Sequence, residues 1–197
     1  PFPVRYKIVR GASPEVVVLQ GAEGTLDAFI EAGRELVAEG CKVITTNCGF
    51  LAKFQAELSA ALGVPVATSA LMQAAAIQAV LPPGRRVGIL TISAATLTET
   101  HLQAAGVPEG TPVAGVADGC EFQRAILGNA LTLDVNQAEA DLAAAARAFQ
   151  AAHPELGAIL LECTNMPPYK SAIAEATGLP VFSIETYMKW LVESLPR

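Results

Sequence analysis

Two stretches, TTNCGF (residues 45–50) and LECTNMPPY (residues 161–169), decide how this chain is read. Each closes an apolar run on a cysteine, Cys48 in the first and Cys163 in the second. The offset that carries Cys48 onto Cys163 also carries Ala61, Gly63, Pro65 and Val66 onto Ala176, Gly178, Pro180 and Val181. Each cysteine is therefore followed by the same unit: a helix, a glycine stop and a Pro-Val strand. A chain that duplicates this unit with one thiol in each copy can present two thiols to one cleft from opposite sides. That geometry suits proton transfer across a planar intermediate.

Outward from these stretches, short β-branched runs alternate with helix-period segments. The first half predicts strands at VVVL (core 17–19), 42–46 and 64–68, and helices at 25–39, 50–62 and 70–80. In the helix 25–39, Leu26, Phe29, Ile30, Leu36 and Val37 form one stripe and Gly40 supplies the left-handed stop. Phe50, Leu51, Phe54, Leu58 and Leu62 do the same before Gly63. LPPG (81–84) reads as a hinge. The second half opens on RRVGILTI (85–92), a fully apolar strand of the kind buried in a parallel sheet. It continues with a helix at 95–105, a strand at 112–116, an irregular stretch at 117–134, a helix at 135–152 with Asp134 as N-cap, and a strand at 157–162. A helix started by Pro167 and Pro168, the strand LPVFSI and a last helix at 186–195 complete it. The alternation implies an α/β fold built of units with right-handed crossovers and mostly parallel sheets. The hinge divides the chain into 1–82 and 83–184, followed by the terminal helix 185–197. The halves do not match at their starts, and the chain begins with Pro1, so an N-terminal strand and its loop are expected to be missing or supplied from outside.

With 197 residues, 52% of them hydrophobic, the chain can bury a substantial core. A net charge of −6 without a dense Lys/Arg stripe argues against nucleic acid or an anionic membrane as partner. No apolar run approaches a membrane span. The expected partner is a small-molecule carboxylate in a cytoplasmic setting, and a homodimer is compatible with the chain. The four cysteines read as free thiols.

In open α/β sheets ligands bind beyond the carboxyl ends of strands, and both Cys48 and Cys163 fall there. The partial positive charge of the following helix start would favour thiolate and hold a carboxylate. Thr45, Thr46 and Asn47 surround the first thiol and Thr164 and Asn165 the second, all short neutral donors. Backbone N–H groups of Gly49 and Thr164 join them, and Thr91, Ser93 and Thr96 after strand 87–92 complete the candidate carboxylate grip. Cys41 and Cys120 lack matched placement. His101 reads as a helix-surface residue and His153 as a cap of helix carbonyls. No clustered metal spacing, dinucleotide fingerprint, phosphate loop or serine elbow occurs, and no cofactor is indicated.

At these residues the chain resembles the aspartate/glutamate racemase family, which also includes hydantoin racemases, arylmalonate decarboxylases and maleate isomerases. ECTNMP (162–167) is similar to the family's second motif, G-C-T-H-Y-P, with Cys163, Thr164 and Pro167 matching and Asn165 in place of the histidine. The first motif, A-C-N-T, departs more: Cys48 is followed by Gly49 and Phe50, and the family's N-terminal D-S-G-type loop has no counterpart. The resemblance implies two pseudo-symmetric α/β domains, with helix 185–197 packing back on the first and the site in the cleft between them, and a cofactor-independent amino-acid racemase in which Cys48 and Cys163 exchange an α-proton across the substrate. The alternatives are a hydantoin racemase, a maleate-isomerase-like enzyme or a protein that binds a small carboxylate without turnover.

Overall fold

In the computed structural model, which describes residues 2–195, the first half runs α1 (Leu26–Ala38), β1 (Ile44–Thr45), α2 (Gln55–Leu62), β2 (Val66–Ala67) and α3 (Ala74–Val80). Tight 3-10 turns, Gly49–Phe54 and Ala70–Gln73, lead straight into α2 and α3. The second half runs β3 (Arg86–Thr91), α4 (Glu99–Ala104), β4 (Val113–Gly115), α5 (Glu121–Leu127), α6 (Val135–Ala152) and β5 (Leu156–Leu161). A 3-10 turn at Pro167–Tyr169, α7 (Lys170–Thr177), β6 (Val181–Phe182) and α8 (Ile184–Glu193) complete it.

Every strand pairing is parallel: β1 with β2 in one sheet, and a second sheet in the order β4-β3-β5-β6. The offset read from the two cysteine motifs reappears as hydrogen-bond register. Ile44 pairs with Val66 as Ile159 pairs with Val181. Ile44 N–H donates to Pro65 O as Ile159 N–H donates to Pro180 O, and Leu51 N–H closes onto Cys48 O as Met166 N–H closes onto Cys163 O. Helices α2 and α7 both stop on a left-handed glycine, Gly63 at φ 66° and Gly178 at φ 67°, a conformation that costs glycine nothing. The repeat is thus carried by backbone geometry as well as by residue identity.

Strands β3 and β5 lie side by side at the centre, and Val87, Ile89, Leu90, Ile159 and Leu160 are fully buried, as strands covered on both faces must be. One apolar cluster runs from Phe50, Leu51 and Leu71 in the first half to Ile89, Leu90 and Leu161 in the second. Helix α8 begins against the turn Ala70–Gln73 of the first half: Gln73 donates from Nε2 to Ser183 O at 2.9 Å and accepts from Thr186 Oγ1 at 3.2 Å. Of the terminal helix expected over 185–197, positions 196–197 lie outside the described residues.

Three expectations are corrected. VVVL is not a strand: Glu15–Leu19 forms a short π-type helical turn, because Pro14 sits in the right-handed helical region and Ser13 Oγ accepts the Val16 N–H. With no strand beside it among the described residues, burial of Val17 and Val18 outweighs β-propensity. The stretch 117–134 is not wholly irregular, since α5 lies within it and its Phe122 N–H donates to Asp141. His101 is buried: its ring closes a capping box with Thr98 and meets the Phe50 ring edge-on at 5.2 Å, and α4 starts at Glu99. His153 is the C-cap of α6 as expected, its backbone N–H donating to Phe149 O at 3.0 Å, while its ring faces the Glu155 carboxylate at 3.1 Å.

Candidate active site

Each of the two motifs turns sharply as its strand ends. Cys48 leaves β1 in extended backbone and starts the turn Gly49–Phe54, whereas Cys163 lies just past β5 and starts the turn into α7. The two turns touch. The Thr164 hydroxyl donates to the Asn47 carbonyl, and Gly49 packs directly on Glu162. A Cβ at position 49 would lie 2.3 Å from Glu162 Oε1, 2.8 Å from Glu162 O and 2.9 Å from Ser69 Oγ, so only glycine fits. All four cysteines are free, and Cys163 is buried while Cys48 is half-buried.

The charge environment reverses the expectation that helix starts would make thiolates. Burial pushes both thiols up, and the nearby Glu162 carboxylate adds to it. Cys163 is pushed up to about 12, although its sulfur accepts from the Asn165 amide at 3.8 Å and from the Asn165 N–H. Cys48 is raised further, with only the Phe50 N–H opposing, and it also feels the charge of Cys163, which puts the thiols within Coulombic reach of one another. Desolvation outweighs the helix-end contribution here.

Glu162 went unnoticed in the sequence. It is 1% exposed, its Oε2 accepts from the Thr91 hydroxyl at 2.7 Å, and its Oε1 has no hydrogen-bond partner among the described residues. Burial pushes this carboxyl up to about 7, with the Thr91 bond pulling the other way. The signal was available: a carboxylate ending the apolar run LGAILL is a residue type that is almost never fully buried without a reason.

The remaining candidates divide by what their polar atoms already do. Asn47 and Asn165 are exposed beside the thiols, and the Asn165 amide already donates to the Cys163 sulfur. Thr91 is committed to Glu162, and Thr96 donates to Ser93 O at 3.4 Å, closing a turn with the Leu97 N–H. Thr45 donates to Ala67 O, and Thr46 donates to Thr68 O and Cys48 O; these hydroxyls fasten the first motif to β2. Among the described residues no three His, Cys, Asp or Glu side chains converge as a metal site, and no helix is long and apolar enough to cross a membrane.

No family model matches the chain. It is 28% identical over 190 residues to a dimethylsulfoniopropionate lyase from Durusdinium sp. clade D, covering 92% of this chain and 62% of that protein. It is 31% identical over 209 residues to dimethylsulfoniopropionate lyase 3 of Emiliania huxleyi (strain CCMP1516), covering 98% of this chain and 53% of that protein. The chain therefore spans between 53% and 62% of the length of these two relatives. Among solved structures, it matches an aspartate racemase homologue from Pyrococcus horikoshii OT3 with a TM-score of 0.57 at 18% identity, over 90% of this chain and 78% of that one. It matches unliganded arylmalonate decarboxylase with a TM-score of 0.55 at 20% identity, over 86% and 75%. The fold agrees with the family resemblance, but the expected function is corrected: these curated relatives are named as lyases, not as racemases, isomerases or binding proteins.

Proposed function

We propose that this chain, which has the aspartate/glutamate racemase fold, is a carbon–sulfur lyase acting on a sulfoniopropionate. The observation that carries the reading is the likeness to the dimethylsulfoniopropionate lyases, which extends over 92% to 98% of the chain and so through both thiol motifs. A sulfoniopropionate offers a hydrogen α to its carboxylate and a cationic leaving group on the β-carbon. Removing the first while expelling the second needs one base on one face. Two thiols beside neutral donors supply that base and a second, protonated partner.

Cys163 is the better base. Asn165 turns both its N–H and its side-chain amide to that sulfur, whereas Cys48 has one opposing N–H. The Cys163 thiolate takes the α-proton, the C–H electron pair closes a C=C bond, and the C–S bond breaks with its electrons leaving on the thioether. The products are acrylate, dimethyl sulfide and a proton that Cys163 returns to solvent. Negative charge growing on the substrate carboxylate meets Asn47, Asn165 and the N–H groups of Gly49 and Thr164, each worth about 3 kcal/mol when aimed. Cys48 stays protonated on the opposite side as a further donor.

The test is incubation with dimethylsulfoniopropionate, reading dimethyl sulfide in the headspace and acrylate by NMR. Cys163→Ser is expected to lower turnover by about a hundredfold or more, and Cys48→Ser by less. Turnover unchanged in both variants, or neither product from the folded protein, refutes the reading.

A further inference from the structure

Glu162 is a buried carboxylate with no cation beside it among the described residues. Thr91 of β3, Ser69 ahead of α3, Gly49 and the two thiols are the groups around it, and no Lys, Arg or His among the described residues acts on its charge. Burying an ionisable group this way is costly unless something of opposite sign arrives. Oε1 is the unpartnered oxygen, and it presses against the one backbone position beside Cys48 that has no side chain. The anion is thus brought to the seam where the thiol turns meet. A sulfonium carries fixed positive charge but no N–H or O–H to donate, so a protein recognises it through its charge and not through a hydrogen bond.

We infer that Glu162 is the counter-charge for the cationic sulfur of the substrate and sets a preference for zwitterionic over plain carboxylates. The inference rests on the lyase reading only for the identity of that cation. An empty site holds Glu162 largely neutral at low pH. An arriving cation favours its ionised form, and so drives a proton out. The same cation offsets the penalty that Glu162 imposes on a thiolate at Cys163.

Calorimetric titration with two isosteres tests this: 3-(trimethylammonio)propionate, whose amine is a poor leaving group, and the uncharged-tail 4,4-dimethylpentanoate. The wild-type chain at about pH 8 is expected to bind the cation about a hundredfold more tightly than the neutral isostere, the scale for unit charges about 6 Å apart at an interior dielectric of about 20. Glu162→Gln should reduce that preference to about twofold or less. At about pH 6, binding of the cation should release a proton from the wild type, seen as a dependence of the heat on buffer ionisation, and none from Glu162→Gln. Thr91→Val retains Glu162 but removes its hydroxyl donor, so the proton release should persist to higher pH; this variant decides the matter if Glu162→Gln does not fold. Equal preference in wild type and Glu162→Gln, or no preference in the wild type, overturns the inference. Cation preference that depends on Glu162 without any dimethyl sulfide release would instead sink the lyase reading and leave the inference standing.

Discussion

Replacing Glu162 by Gln should make the protein more resistant to rising pH. The carboxyl rises from an ordinary 4.5 to about 7 through burial. The folded state therefore holds a proton that the unfolded chain has already lost between those two values, and Glu162's stabilising contribution, complete below pH 4.5, is lost as pH climbs through 7. At about 1.4 kcal/mol per pH unit, that span corresponds to about 3 kcal/mol. Glutamine keeps the shape and an acceptor for Thr91 while having no proton to lose. Urea unfolding of both proteins at a series of pH values isolates the group, because every other titration cancels in the difference. The variant should gain on the wild type by about 3 kcal/mol between about pH 4.5 and 8. A difference that stays flat across that window would show that the carboxyl ionises freely in the fold, and the argument from burial would be wrong.

Gly49→Ala forces a methyl into the space held by Glu162 and Ser69, and because one of the atoms it meets is backbone the loss should reach about 2–3 kcal/mol in chemical unfolding. Asp134→Ala removes the carboxylate that accepts the Gln137 N–H at 3.0 Å at the start of α6, at a cost of about 1 kcal/mol measured the same way. Thr164→Val breaks the hydroxyl bond that joins the second thiol turn to the first; turnover should fall several-fold more than the lost bond, about 1 kcal/mol, lowers stability. Cys163 should react with iodoacetamide at about pH 8 at least a hundredfold more slowly than a free thiol, since burial and Glu162 suppress its thiolate.

Much of the fold was legible because the chain states it twice. Gly63 and Gly178 mark two helix ends with the same left-handed turn, and the Pro-Val pairs after them enter strands in the same register. Where the chain states something once, local signals misled. VVVL has the composition of a strand, but strand identity needs a partner, and Ser13 and Pro14 had already turned the backbone into a helical path. His101 looked exposed because a helix face cannot show which of its residues will meet Phe50 from another element.

The site was legible in its thiols and illegible in its electrostatics. Position alone places Cys48 and Cys163 at strand ends, where helix starts would favour thiolate. Solvent exclusion and a neighbouring carboxylate are properties of three dimensions, and here they dominate. This reversal bears on the chemistry proposed. A site that made standing thiolates would hold an anionic pair ready for any acidic substrate, whereas a site that suppresses them until positive charge arrives acts only on a substrate that brings its own cation. α-Proton removal is common to racemisation and β-elimination; on the proposed reading, Glu162 separates the two outcomes in this fold by admitting a substrate whose β-carbon carries a leaving group of positive charge.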